Sequence, residues 1–181
     1  MKTHKVCLSL LALLVVGLLI GCSTTTKSPD VSDSIRKSLD QAGLKDVTVS
    51  QDRDKGVVTL GGNVAADADK IQAESLAKSI AAGQVVANQI AVTPPGVESE
   101  AKTVNSDLDT SIEKSLDAAL ITNRLHKGVK FDVKNGVVTL TGEVNSKSQR
   151  ASVEKVASSV PNVKQVVNEL EIKNPKATSS K

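Results

Sequence analysis

The sequence predicts an α+β fold: two tandem α-β-β-α-β two-layer sandwiches, each with a three-stranded mixed sheet covered by two helices. Three observations lead there. A nine-residue stretch, Gly56-Val57-Val58-Thr59-Leu60-Gly61-Gly62-Asn63-Val64, returns eighty positions on as Gly136-Val137-Val138-Thr139-Leu140-Thr141-Gly142-Glu143-Val144, with seven residues identical. A helical stripe precedes each copy, and a second stripe and a closing β-branched run follow it. Pro94-Pro95-Gly96 separates the two sets. Self-similarity over such a period makes each copy one structural unit.

The repeated stretch reads as a strand leaving a hairpin, because a β-branched run opens on glycine and carries a second glycine inside. Val58, Leu60, Gly62 and Val64 share one face on alternation, as do Val138, Leu140, Gly142 and Val144. The glycine in each apolar row leaves room for a close backbone approach, expected from a helix crossing the sheet.

Lys2, His4 and Lys5 precede an apolar run from Val6 to Ile20. That pattern is a secretory signal over residues 1–21, too short and wrongly flanked for a spanning helix. It ends in Leu19-Ile20-Gly21-Cys22, which resembles a bacterial lipobox. The resemblance implies that Cys22 is acylated and becomes the mature N-terminus. Several acyl chains, at about 0.8 kcal/mol per buried methylene, make a stable anchor. Ser23 rather than aspartate after the cysteine matches the sorting pattern of Gram-negative lipoproteins bound for the outer membrane. Residues 22–29 then form a polar tether that reaches roughly 26–29 Å when extended.

The first unit spans residues 30–93. Val31, Ile35, Leu39 and Ala42 fall on one helical stripe stopped by Gly43. Val47 and Val49 alternate as a strand, and Asp52 to Gly56 turns into the repeated stretch. Asp67 and Asp69 sit where a helix N-terminus favours negative charge, ahead of a stripe of Ala73, Leu76, Ala77 and Ile80. Val86, Ile90 and Val92 form the closing strand. Residues 94–105 read as a polar linker.

The second unit, residues 106–173, repeats the order. Leu108, Ile112, Leu116 and Ala119 match the first stripe at an offset of 77, where Ser111 to Asp117 nearly copies Ser34 to Asp40. Val129, Phe131 and Val133 alternate, which makes Phe131 a core residue, and Asn135-Gly136 is a strong hairpin signal. Ser146 with Gln149 three residues on forms a capping box ahead of Val153, Val156, Ala157 and Val160. Val166, Leu170 and Ile172 close the unit before a polar tail over 174–181. In both units the strand–helix–strand part makes two strands parallel, so each sheet is mixed. Units of this size bury little core alone, so the two should pack together or lean on a partner.

The Gly-Val-Val-Thr-Leu-x-Gly-x-Val strand, the glycine before it, and the closing Val86-Ala87-Asn88-x-Ile90 and Val166-Val167-Asn168-x-Leu170 resemble the BON domain (bacterial OsmY and nodulation), twice over. Behind a lipobox, the chain is similar to dual-BON outer-membrane lipoproteins, the division- and outer-membrane-stress-associated lipid-binding lipoproteins among them. The resemblance implies binding of anionic phospholipid, support of outer-membrane integrity and no catalytic residue. It implies a lipid-anchored protein that faces the periplasm.

Composition narrows the chemistry. Aromatics are 1% of 181 residues, with Phe131 alone, which argues against base-stacking platforms; the net charge of +3 does not suggest nucleic acid. Both cysteines, Cys7 and Cys22, lie at the N-terminus, so the units form no disulfide. After the signal one histidine remains, His126, in a basic glycine-bearing loop, so no nucleophile–base pair is expected and no enzyme. The pairs Asp52/Asp54 and Asp67/Asp69 lie in turns or a first helical turn, where carboxylates are ordinary, so neither a metal nor a cofactor is expected. Asn88 and Asn168 hold matching positions in the closing strands, where asparagine is a poor strand former and should bond neighbouring backbone.

Charge is the asymmetric feature. Residues 30–93 carry seven Lys/Arg against nine Asp/Glu, and residues 106–173 carry ten against nine. From Arg124 to Lys134 lie Arg124, Lys127, Lys130 and Lys134 against Asp132, a local +3, with Lys130 and Lys134 pointing away from the face of Val129, Phe131 and Val133. These four residues are the candidate contact for anionic phospholipid. The alternative is a periplasmic adaptor that holds an envelope protein at a sheet edge or at the junction of the units.

Overall fold

The computed structural model describes residues 27–173. The segment read as a signal, Cys22, most of the segment read as a tether and residues 174–181 lie outside the described residues. The first unit comprises α1 (Ser32–Gln41), β1 (Val47–Asp52), β2 (Val57–Val64), α2 (Asp67–Ile80), β3 (Val85–Asn88) and β4 (Ala91–Val92); the second comprises α3 (Glu98–Thr122), β5 (Val129–Lys134), β6 (Val137–Val144), α4 (Lys147–Ser158), β7 (Gln165–Asn168) and β8 (Glu171–Ile172). Both are α+β sandwiches, as the repeat requires. β1 pairs antiparallel to β2, and β3 and β4 run parallel to it; β5, β6, β7 and β8 repeat this. The mixed sheets follow the predicted order, with the third lane of each occupied by two short segments.

The break in that lane comes from the asparagines. Asn88 Oδ1 accepts from the Ile90 amide, and Asn168 Oδ1 from the Leu170 amide at 3.2 Å, so each side chain takes up a backbone donor where the strand leaves the ladder. The predicted closing strand is therefore interrupted in both units.

The core faces fall on the expected rows. Val58, Leu60 and Val64 pack with Ile35, Leu39, Ala73 and Ala77, and Val138, Leu140 and Val144 pack with Ile112, Leu116, Val153 and Ala157. Phe131 lies partly buried against the second core. Gly62 and Gly142 sit at φ of +89° and +105°, and a β-carbon there would strike the carbonyl oxygens of Asp46 and Gly128. The close approach is thus the backbone leading into β1 and β5, and not the crossing helix expected from the sequence.

Helix α3 departs furthest from expectation. It begins at Glu98, so the segment read as a linker through Asn105 is helical for most of its length. The offset of 77 is also one turn out of register. The two helix ends superpose at an offset of 81: Leu44 N–H donates to Leu39 O as Leu125 N–H donates to Leu120 O, and Gly43 and Arg124 both have positive φ. Ile112, Leu116 and Leu120 are the buried stripe, Leu108 is 42% exposed, and Ala119 lies beside the stripe. A slip of four residues leaves a helical stripe on nearly the same face, which is why periodicity could not detect it.

The units pack against each other. Val57 and Ala87 from the helix-free face of one sheet meet Val137 and Val167 from the other in a separate apolar cluster. The contacts have pseudo-two-fold character. Lys55, in the β1–β2 turn, pairs with Glu169 at 2.7 Å, and Asn135, in the β5–β6 turn, donates to Gln89 O at 2.8 Å. Each pair joins the turn of one unit to the strand break of the other, at positions eighty apart. Gln165 bridges the edge of β3, donating to Val86 O at 2.7 Å and accepting from Asn88 N–H at 3.1 Å.

Candidate functional site

The basic segment grows from the end of α3. In the first unit Gly43 takes the left-handed conformation that closes α1; in the second, Arg124 takes it at φ +58°. A side chain there costs about 1–2 kcal/mol that glycine avoids. The loop after it carries His126 and Lys127, both exposed, and leads into β5, which presents Lys130 to solvent. Arg124, Lys127 and Lys130 occupy a span with no carboxylate, and Ile121, 53% exposed, stands one turn before Arg124. Among the described residues none of the three forms an ion pair.

Lys134 belongs elsewhere. Four residues of strand set it roughly 13 Å from Lys130, at the hairpin end of β5. There it lines a groove of about 550 Å³ between the units, with Glu98, Lys102, Asp109 and Glu113 of α3. The structure therefore gathers three of the four predicted cations at one end of β5 and places the fourth in an acidic neighbourhood at the other.

Asp109 escaped the sequence reading. Its carboxylate accepts from the amides of Asn135, at 2.7 Å, and Gly136, at 2.9 Å, which pins the hairpin turn to α3. Its counterpart at the offset of 81 is Ser28, whose N–H donates to Arg53 O at 2.9 Å in the other hairpin. The signal was present only in that offset, which the sequence copy at 77 concealed.

The asparagines anchor a small polar group under each sheet. Asn88 is buried and donates to Lys70 O and to Glu74 Oε2 at 2.9 Å; Asn168 donates to Glu154 Oε2 at 2.8 Å, and Arg150 donates back to Asn168 O at 2.7 Å. Burial pushes the Glu74 pKa up, but the hydrogen bonds from Asn88 and Lys78 and the charges of Lys78 and Lys70 outweigh it and hold the carboxyl below its ordinary value. Asp52 closes its own turn by accepting from the amides of Asp54 and Lys55, and Asp67 and Asp69 occupy the first turn of α2. Among the described residues no three His, Cys, Asp or Glu side chains are grouped to hold a metal ion, and no helix is long and apolar enough to cross a membrane.

The chain is 31% identical over 137 residues to Osmotically-inducible protein Y of Escherichia coli (strain K12), an alignment covering 75% of this chain and 67% of that one. Among solved structures it aligns with CdsD, a structural protein of the type III secretion system of Chlamydia trachomatis, at 13% identity and a TM-score of 0.32, covering 79% of this chain and 62% of that chain. The C-terminal domain of CdsD aligns at 12% identity and a TM-score of 0.33, covering 78% of this chain and 67% of that one. The family model for the BON domain matches residues 28–94 and 108–174, one match over each sandwich. With its repeated strand, broken closing lane and hairpin glycines in both copies, the chain belongs to the BON-domain family and carries the domain twice.

Proposed function

We propose that this chain is a non-enzymatic envelope lipoprotein, held by acylated Cys22 at the periplasmic face of the outer membrane, whose second unit contacts anionic phospholipid through Arg124, Lys127 and Lys130. Its role is to support the integrity of that membrane under stress. The relative named as osmotically inducible supports osmotic stress as the condition. The observation that carries the lipid contact is Arg124: a cation stands in a left-handed position that the sister unit fills with Gly43. Local strain of this kind points to a use for the side chain. Ile121 beside it supplies an exposed apolar residue among cations, a combination suited to a membrane interface. Among the described residues His126 is the one histidine and it is exposed, which favours binding over catalysis.

Three cations near an anionic surface supply about 3 kcal/mol at most. Alone that corresponds to an affinity in the millimolar range or weaker. A chain tethered at Cys22 meets the membrane at high effective concentration, so so weak a contact is occupied. The test is flotation of unacylated residues 23–181 with neutral and anionic vesicles. Binding is expected to anionic vesicles only, falling with salt, lost in the Arg124→Gln/Lys127→Gln/Lys130→Gln variant and kept in Lys134→Gln. Binding that survives the triple change removes this surface from consideration. Cys22→Ala is expected to leave the membrane fraction; full retention after signal cleavage would refute the anchor.

The adaptor reading keeps one specific support. Val97, just before α3, and Ala101, Val104 and Leu108 on it recur at helical spacing, and Val97, Val104 and Leu108 are exposed. That stripe suits a partner helix, and Val104→Lys with Leu108→Lys would abolish such an interaction without touching the basic segment.

A further inference from the structure

We propose that the cleft between the two units, where Lys70 of α2 meets Lys164 of the α4–β7 connection, binds a phosphate group. The cleft has a volume of about 360 Å³ and is lined by Lys70, Glu74, Lys78, Lys164 and Gln165, with Asn88 and Val137 at its base. Its one carboxylate is already committed: Glu74 pairs with Lys78 and accepts from Asn88. Lys70 and Lys164 remain, two positive charges around one polar cavity, which matches a phosphate group in charge and in its several acceptor oxygens. Lys70 spends one of its three donors on Ile90 O, at 2.7 Å, and keeps two. Lys164 forms no ion pair among the described residues. Asp67 lines a neighbouring cavity that shares both lysines, and Asp109 is engaged by the β5–β6 turn.

The repeat shows that this arrangement is not needed to build the fold. Eighty positions before Lys164 stands Gln84, a neutral residue whose amide donates to Pro29 O and accepts from Gln51. Eighty positions after Lys70 stands Arg150, whose guanidinium is spent on Asn168. The first unit thus places a bonded neutral side chain where the second places a cation beside a half-buried ammonium. Burial first, and then the charge of Lys164, lower the Lys70 pKa despite Asp67, Glu74 and Asp109. A bound anion would relieve that repulsion.

The phosphate could belong to a free phosphorylated compound or to an anionic lipid headgroup, and one experiment separates them. The full chain in neutral detergent micelles is titrated with inorganic phosphate at constant ionic strength, and separately with micelles doped with phosphatidylglycerol or phosphatidylcholine, while backbone amide resonances are followed. Saturable shifts are expected at Asn88 and Gln165, weakened at least tenfold by Lys164→Gln and retained in Lys164→Arg. Lys164 is exposed, so the Gln variant should keep the parent spectrum elsewhere. Saturation by inorganic phosphate alone assigns a free compound; saturation by phosphatidylglycerol alone assigns a headgroup. Either supports the site. No saturable shift in any arm, or shifts indifferent to Lys164→Gln, would overturn it. The Arg124/Lys127/Lys130 triple variant should respond like the parent to inorganic phosphate here, so failure of this site and failure of the vesicle contact are distinguishable.

Discussion

Gly43 and Gly142 both have positive φ, yet they should answer differently to substitution. At Gly43 no atom beyond its chain neighbours lies within 4 Å of where a β-carbon would stand, so Gly43→Ala should cost only the left-handed penalty, about 1 kcal/mol. At Gly142 the same change drives a β-carbon into the Gly128 carbonyl, and Gly142→Ala should cost about 3 kcal/mol, combining conformational strain with a backbone shift. Urea unfolding of the two variants checks the difference; equal losses would mean that the carbonyl approach is not rigid. Arg124→Gly reverses the direction. It should hold or raise stability by up to about 1 kcal/mol, since glycine suits the position, while vesicle flotation falls. Glu74 gives a pH signature. Its folded pKa is depressed, so its contribution is present above the ordinary value of 4.5 and is lost as pH falls through the folded value. Glu74→Gln should therefore flatten the acid side of the stability profile, read from melting temperatures below pH 5.

At the scale of elements, α3 decides how the second unit differs from the first. It has 25 residues where α1 has 10, and with the common end at the offset of 81 the whole excess lies at its N-terminus. The added turns carry Asp109 to the β5–β6 hairpin, whose two residues both adopt positive φ as a tight turn of that length requires. Asp109→Ala leaves two backbone amides without their charged acceptor and should cost about 2 kcal/mol. The loss should appear in the melting of the second unit, and Asp109→Asn should recover part of it. If both variants melt like the parent, the helix and the hairpin are not coupled through this carboxylate.

At the scale of the whole molecule, two small cores are joined by four apolar side chains, by the pseudo-symmetric Lys55–Glu169 and Asn135–Gln89 pairs and by the hydrogen bonds of Gln165. Val137→Asp places an unpaired carboxylate in that cluster, at a cost of about 3 kcal/mol or more. The units should separate while keeping their own cores, giving two unfolding transitions and a larger radius of gyration in small-angle X-ray scattering. A single transition of lower midpoint would show instead that neither unit holds its fold alone.

The sequence by itself determined the repeat, the element order, the core rows of β2 and β6 and the hairpin at Asn135-Gly136, because alternation, helical period and turn chemistry are local and survive without knowledge of neighbours. It also singled out Arg124, Lys127, Lys130 and Lys134 by charge. Only the tertiary structure decided the register of α3 against the first unit, since a one-turn slip leaves a helical stripe on the same side. It alone showed that a backbone carbonyl crowds Gly62 and Gly142, because a glycine reports close approach without naming what approaches. It parted Lys134 from the other cations by the length of a strand. It also brought Lys70 and Lys164, ninety-four positions apart in the chain, to one cleft between the units, a meeting set by how two sheets stack and carried by no local pattern.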